Sequence, residues 1–179
     1  MVIISAKELK NKDPNISHQI NSLLSLSFKH ENTVSYIDYL KDDDYVGYLV
    51  MDNKIVTAGL SNKDTYNSEY KYKTLYLNSF GTHPEYRGLG LCKNIISEFI
   101  RKFGKEYILY LTVRTQENNV NESAIRCYKK NGFVMLPEVY RDHYDGKNSA
   151  MIRIPEKKKA TKKKKVNKKK KKYSKKIKK

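Results

Sequence analysis

The stretch LYLNSFGTHPEYRGLGLCKNIISEFI, residues 75–100, decides how the rest of the chain is read. Its first eight residues are rich in β-formers and predict a strand over residues 75–82. Pro84 stops that strand. Leu91, Ile95, Ile96, Phe99 and Ile100 then recur at helical spacing, so a helix is expected over residues 88–103. Between the two lies Arg87-Gly88-Leu89-Gly90-Leu91-Cys92, continued by Lys93. The first turn of a helix has amide N–H groups without internal partners, and it carries the positive end of the helix dipole. Phosphates bind well there. Glycine lets the backbone approach a ligand closely because no Cβ intervenes, and Arg87 adds a cation. The loop therefore reads as a pyrophosphate site, although a Gly-x-Gly at a helix start is as often only a tight turn. It is not a P-loop, since no Gly-Lys-Ser/Thr follows. It also has only two of the three glycines of a dinucleotide fingerprint.

Upstream, residues 2–5 form a short β-prone edge. A helix capped by Ser17 is expected to run to about Lys29, with Ile20, Leu23, Leu24 and Phe28 on one face. A second is expected from Thr33, with Tyr36, Ile37 and Leu40 on its face. Residues 45–51 and 54–60 read as a hairpin around Asp52-Asn53, and residues 61–72 as a polar loop or strand extension. Downstream, residues 107–113 form an apolar strand and 114–120 a loop. A helix over 121–130 closes at Asn131-Gly132. Final strands are expected over 133–136 and 149–154. This order implies an α/β or α+β fold with a mixed sheet, not a doubly wound parallel one.

A second motif lies in the helix over 121–130: Asn121-Glu122-Ser123-Ala124-Ile125-Arg126-Cys127-Tyr128-Lys129-Lys130-Asn131-Gly132-Phe133. Together with Arg87, Gly90 and Cys92, it makes the chain resemble the GNAT superfamily of N-acetyltransferases. That family's signatures are Gln/Arg-x-x-Gly-x-Gly/Ala and Asn-x-x-Ala-x-x-x-Tyr-x-x-x-Gly-Phe. Cys92 departs from the usual Gly or Ala but is small. The clear resemblance covers residues 74–134, and element order extends it to residues 1–155 as one domain.

The resemblance implies a mixed, mostly antiparallel sheet flanked by helices, whose central strands, 75–82 and 107–113, splay apart to admit acetyl-CoA as co-substrate. It implies that the backbone of Phe80, Gly81 and Thr82 holds the pantetheine arm, that the amides from Gly88 through Leu89, Gly90, Leu91 and Cys92 to Lys93 hold the pyrophosphate, and that Asn121 contacts the cofactor. No metal is implied. The reaction would be direct attack of a primary amine, of a protein or a small molecule, on the thioester, with Tyr128 protonating the departing thiolate. Tyr128 could also be a core tyrosine on an amphipathic helix, but the Asn121–Phe133 context favours the acid role.

The base is open. Relatives resembling ribosomal-protein acetyltransferases carry a Glu near the position of Thr112, which cannot act as a base. Glu117, His83, Glu138 and His143 are candidates, though a lone His or Glu in a loop is more often an ordinary surface group. Tyr140, His143 and Tyr144 could line the amine pocket or simply pack a hairpin. Asp42-Asp43-Asp44 reads as a solvated acidic turn more than an amine attractor. Cys92 and Cys127 have no His/Asp partner nearby in sequence, and direct transfer needs no nucleophile.

The chain has 37 basic and 19 acidic residues, a net charge of +18. Residues 157–179 hold 16 lysines and no carboxylate, which leaves 21 basic against 19 acidic residues in the rest. Residues 156–179 therefore read as a disordered tail that binds polyanions such as nucleic acid or ribosomes by counterion release. A nuclear or nucleolar address is an equal reading. That tail also supplies the alternative function, a GNAT fold without catalysis that binds nucleic acid. The two cysteines suggest no disulfide framework. With no signal peptide and no apolar span, a soluble, intracellular, cytoplasmic protein without a membrane partner is expected.

Overall fold

The computed structural model describes residues 1–29, 33–63, 73–113, 115–116, 119–136 and 149–155. The expected loop at 61–72, the candidates Glu117, Glu138, Tyr140, His143 and Tyr144, and the lysine-rich tail lie wholly or largely outside these residues.

Nine strands and four α-helices alternate along the described residues: β1 (Val2–Ser5), α1 (Ala6–Lys10), α2 (Pro14–Ser27), β2 (Tyr45–Met51), β3 (Lys54–Lys63), β4 (Lys73–Thr82), α3 (Leu91–Phe103), β5 (Tyr107–Val113), β6 (Thr115–Gln116), β7 (Asn119–Val120), α4 (Glu122–Lys130), β8 (Val134–Met135) and β9 (Ser149–Arg153). Seven of the strands form one sheet in the order β1-β2-β3-β4-β5-β9-β8. Every pairing in it is antiparallel except β4 with β5. The mixed, mostly antiparallel sheet expected from the sequence is the one observed.

Each face of the sheet has its own core. On one side, α1 and α2 bring Leu9, Ile20, Leu23 and Leu24 against Val46, Tyr48, Ala58 and Leu60. On the other, α3 and α4 bring Ile95, Ile96, Phe99, Ile125 and Tyr128 against Leu75, Leu77, Leu109 and Leu111. Each fully buried Leu, Ile or Phe contributes about 1.5–3 kcal/mol. No helix among the described residues is long and apolar enough to cross a membrane.

Several elements differ from the expectation. The first long helix starts at Pro14, capped by Asp13 Oδ1 accepting from Asn15 N–H at 2.9 Å, and Ser17 lies inside it. A short helix, α1, precedes it behind a capping box in which Ser5 and Glu8 satisfy each other's backbone N–H. No helix forms after Thr33. Residues 36–39 run as turns, and α2 side chains meet donors of this segment: Ser25 Oγ accepts Val34 N–H at 2.7 Å, and Asn21 Oδ1 accepts Ile37 N–H at 3.1 Å. The helix expected from Gly88 begins at Leu91, after a single 3₁₀ turn over Pro84–Tyr86.

Candidate functional site

β4 and β5 pair over only four rungs, from Lys73↔Tyr107 to Tyr76↔Tyr110. Beyond them each strand pairs only with its outer neighbour: β4 with β3 as far as Thr82, and β5 with β9 as far as Val113. The sheet is therefore open in its middle, and β4 from Leu77 to Thr82 presents an unpaired flank to the opening.

A bulge marks that flank. Leu60 faces Asn78 and Ala58 faces Gly81, so Ser79 and Phe80 together oppose Gly59. Ser79 adopts φ 51°, in the left-handed region. The extra residue switches the alternation of β4. Before it, Leu75 and Leu77 face the α3 core, and Tyr76 and Asn78 face the α2 side. After it, Phe80 points to α3, edge-on to Phe99 at 5.6 Å. Gly81 points to α2, where a Cβ would stand 2.5 Å from Ser27 Oγ. Gly59 is equally forced, because a Cβ there would lie 2.3 Å from the Phe80 ring.

β4 runs through the 3₁₀ turn into the glycine loop. Arg87 Nε donates to Thr82 O at 3.3 Å, which folds the arginine back along the strand end. Gly88 and Gly90 have φ 82° and 75°, and a Cβ on either would meet nothing within 4 Å. Gly90 caps α3 with no side-chain hydrogen bond. The amides of Leu91, Cys92 and Lys93 precede the first internal helix bond, Asn94 N–H to Gly90 O at 3.1 Å. Phe80, Gly81, Thr82, Arg87, Gly88, Leu89, Gly90, Leu91, Cys92 and Lys93 thus form one continuous path from the opening to the head of α3.

α4 packs beside α3 on the same face of the sheet. Asn121 is its N-cap, with Oδ1 accepting Ala124 N–H at 3.0 Å. That leaves its Nδ2 as the group able to reach a ligand. Tyr128 is 8 % exposed and packs on Phe133 at 6.1 Å. Burial first, then the nearby Cys92, Cys127 and Tyr76, hold its phenol above the ordinary tyrosine value. It is therefore both a core residue and a proton-bearing hydroxyl at neutral pH. Cys92 of α3 and Cys127 of α4 are neighbours; the proximity of Cys127 and then burial raise the Cys92 thiol and disfavour its thiolate.

Of the candidate bases, His83 alone lies among the described residues, and it does not reach the opening. His83 packs on Tyr86 at 5.9 Å, with Nδ1 3.7 Å from Glu85 Oε2. It lies four residues past the bulge, about 13 Å along an extended chain. Thr112 does stand at the opening, but as a partner of Tyr76, whose hydroxyl lies 2.8 Å from Thr112 Oγ1 while its ring stacks on Tyr110 at 4.8 Å. Tyr76 and Asn78 had no motif to flag them; only the strand pairing brings them here. Nor is the acidic triplet wholly a solvated turn. Asp43 pairs with Lys63 at 2.9 Å and Asp42 with Lys10 at 3.8 Å, but Asp44 is 2 % exposed and takes three N–H donors.

The comparisons agree with this geometry. The model of the family described as "Acetyltransferase (GNAT) family" matches residues 7–133. Among solved structures, the chain is similar to the ribosomal-protein-S18-alanine N-acetyltransferase of Escherichia coli, with TM-score 0.58 and 16% identity over 84% of this chain and 90% of that one. It is similar to Naa50 of Arabidopsis thaliana in complex with the bisubstrate analogue CoA-Ac-MVNAL, with TM-score 0.57 and 20% identity over 84% and 95%. It is also similar to the NatC complex bound to Gag peptide and CoA, with TM-score 0.60 and 15% identity over 86% and 97%. No curated protein sequence matches the chain.

Proposed function

Because the chain belongs to the GNAT acetyltransferase family, we propose that it transfers an acetyl group from acetyl-CoA to a primary amine by direct attack. The observation that carries this reading is the continuity of the path. The unpaired flank of β4 leads through Thr82 and Arg87 to two left-handed glycines with open space over them, and on to a helix start with no side-chain cap. A long ligand with an extended arm and a pyrophosphate fits that surface.

Bound acetyl-CoA supplies an activated thioester carbonyl. The chain supplies the rest. Backbone groups of Phe80, Gly81 and Thr82 hold the arm as an added strand would. Amides from Gly88 to Lys93 and the Arg87 guanidinium hold the pyrophosphate. Backbone N–H groups near the bulge polarise the carbonyl. Tyr128, kept protonated by its burial, gives its proton to the departing sulfur. Protein or peptide amines are the acceptors to try first, since two of the similar structures hold peptide ligands, one a bisubstrate analogue and one a Gag peptide.

Calorimetry with acetyl-CoA, followed by release of the CoA thiol against an amine panel, tests the reading. Binding is expected in the micromolar to millimolar range usual for enzyme substrates. No binding at millimolar acetyl-CoA would overturn it.

A further inference from the structure

A chain of hydrogen bonds runs from a buried carboxylate to the rim of the opening, and its direction is fixed. Asp44 receives Lys41 N–H at 2.9 Å and Asn62 Nδ2 at 2.8 Å on Oδ2, and Lys63 N–H at 3.0 Å on Oδ1. An ionised carboxylate only accepts. Asn62 must therefore turn its NH2 toward Asp44 and its oxygen away. That oxygen is met by Asn78 Nδ2. Asn78 must in turn commit its NH2 to Asn62, and its Oδ1 is left as the free end. A lone carboxamide can sit either way round; here the carboxylate at the root of the chain orients both. Among the described residues no donor reaches Asn78 Oδ1.

The position of that oxygen matters. Asn78 lies two residues past the last β4–β5 rung and directly before Ser79 of the bulge. It shares the α2-side face with Tyr76. The neighbouring hydroxyls of Tyr76 and Thr112 are already bonded to each other. Asn78 Oδ1 is thus an oriented acceptor at the rim of the opening, next to the bulge on the unpaired flank of β4.

We propose that Asn78 is an amine-binding residue of the transfer site, with Asn62 and Asp44 as its positioning residues. This rests on the acetyl-transfer reading above. As the N–C bond forms and the C–S bond breaks, the attacking nitrogen becomes positively charged until it releases a proton to solvent or a base. Tyr128 protonates the sulfur. An N–H remaining on that nitrogen donates to Asn78 Oδ1, and the bond is stronger at the transition state than before attack. A hydroxyl nucleophile, once deprotonated, has no such hydrogen left. The carboxamide therefore favours amines over alcohols of similar shape.

The test is steady-state kinetics of the full chain with acetyl-CoA and a pool of short peptides bearing free α-amines and lysines. Asn78→Ala should lower kcat/KM for the amine roughly 10- to 100-fold, the usual loss for a hydrogen bond to a charged group. Acetyl-CoA affinity should stay within about twofold, because ground-state cofactor binding does not use this contact. Asn62→Leu keeps the Asn78 side chain but frees it to rotate. It should lower amine kcat/KM by a smaller factor, again with acetyl-CoA affinity kept. Unchanged amine kcat/KM in Asn78→Ala overturns the proposal and leaves acetyl transfer standing. A parallel fall in acetyl-CoA affinity also overturns it, making Asn78 a cofactor or folding residue. A wild-type chain that binds no acetyl-CoA removes the acetyl-transfer reading and this proposal together.

Discussion

From Phe80 to Lys93 the opening is lined by backbone, and at Tyr76, Asn78 and Thr112 it is lined by side chains, with Asn62 behind Asn78. The first region is defined by what is missing: no Cβ at Gly88 or Gly90, no side-chain cap on α3, and no β5 partner for the end of β4. The second is defined by what is bonded: Tyr76 to Thr112, Asn78 to Asn62, and Asn62 to Asp44. A backbone site needs unusual conformations, and these demand glycine. A side-chain site needs only common residues on strands that happen to pair. The proposed cofactor region therefore leaves a signature in the sequence and the proposed acceptor region leaves almost none.

Tyr128 stands between the two regions, and removing its hydroxyl gives the largest expected effect. Tyr128→Phe should lower kcat roughly 100- to 10,000-fold, the range of a lost general acid, with acetyl-CoA affinity kept. An unchanged kcat would leave Tyr128 as a core tyrosine only. The same variant has a pH signature. Burial raises the folded phenol above its unfolded value. Its contribution to stability is complete below the unfolded value of about 10 and is lost as pH rises through the folded value. Thermal melts above that pH should therefore fall more steeply for the wild type than for Tyr128→Phe. Parallel curves would mean the phenol is not desolvated in solution.

The backbone character of the cofactor region can be broken at Gly90. Valine there must adopt φ 75°, which is strained for a β-branched residue, yet its Cβ would meet no neighbour within 4 Å. The open space is where the proposed pyrophosphate lies. Gly90→Val should cost about 1–2 kcal/mol of stability but weaken acetyl-CoA roughly 10- to 100-fold, as a displaced charge-assisted contact does. A melt that drops while affinity holds would place the cofactor elsewhere.

What could be read without coordinates follows the same division. Gly90 and the run from Asn121 to Phe133 announced a left-handed glycine turn and the helix with its Asn cap, because both depend on local chemistry. Ser5-Ala6-Lys7-Glu8 carries a capping-box signal, but no long apolar run follows it, so the sequence alone does not mark a helix there. Ile37 and Leu40 have helical spacing, but i to i+3 spacing also fits a turn. Asn21 and Ser25, far back in α2, supply the acceptors that make the turn the better solution. Asp42, Asp43 and Asp44 are identical as letters. Only β3, which brings Asn62 and Lys63 alongside, decides that the third is buried.

The smallest expected effect bears on the one place where the two regions could mix. Cys92 holds the last motif position of the glycine loop, where the resemblance leads one to expect Gly or Ala, so a side chain stands in a region otherwise built from backbone. Its sulfur neighbours Cys127 on α4, however, on the side where Ser97 Oγ also lies 2.9 Å from Asn131 Oδ1. The thiol thus sits against the second helix, which leaves the Cys92 amide for the proposed ligand. Cys92→Ala should lose about 1 kcal/mol of stability and leave acetyl-CoA affinity within about twofold, because the amide and its φ/ψ are unchanged. A tenfold change in affinity would show that the sulfur itself meets the cofactor. The contrast between a backbone region and a side-chain region would then hold for the glycines but fail for the helix they lead into.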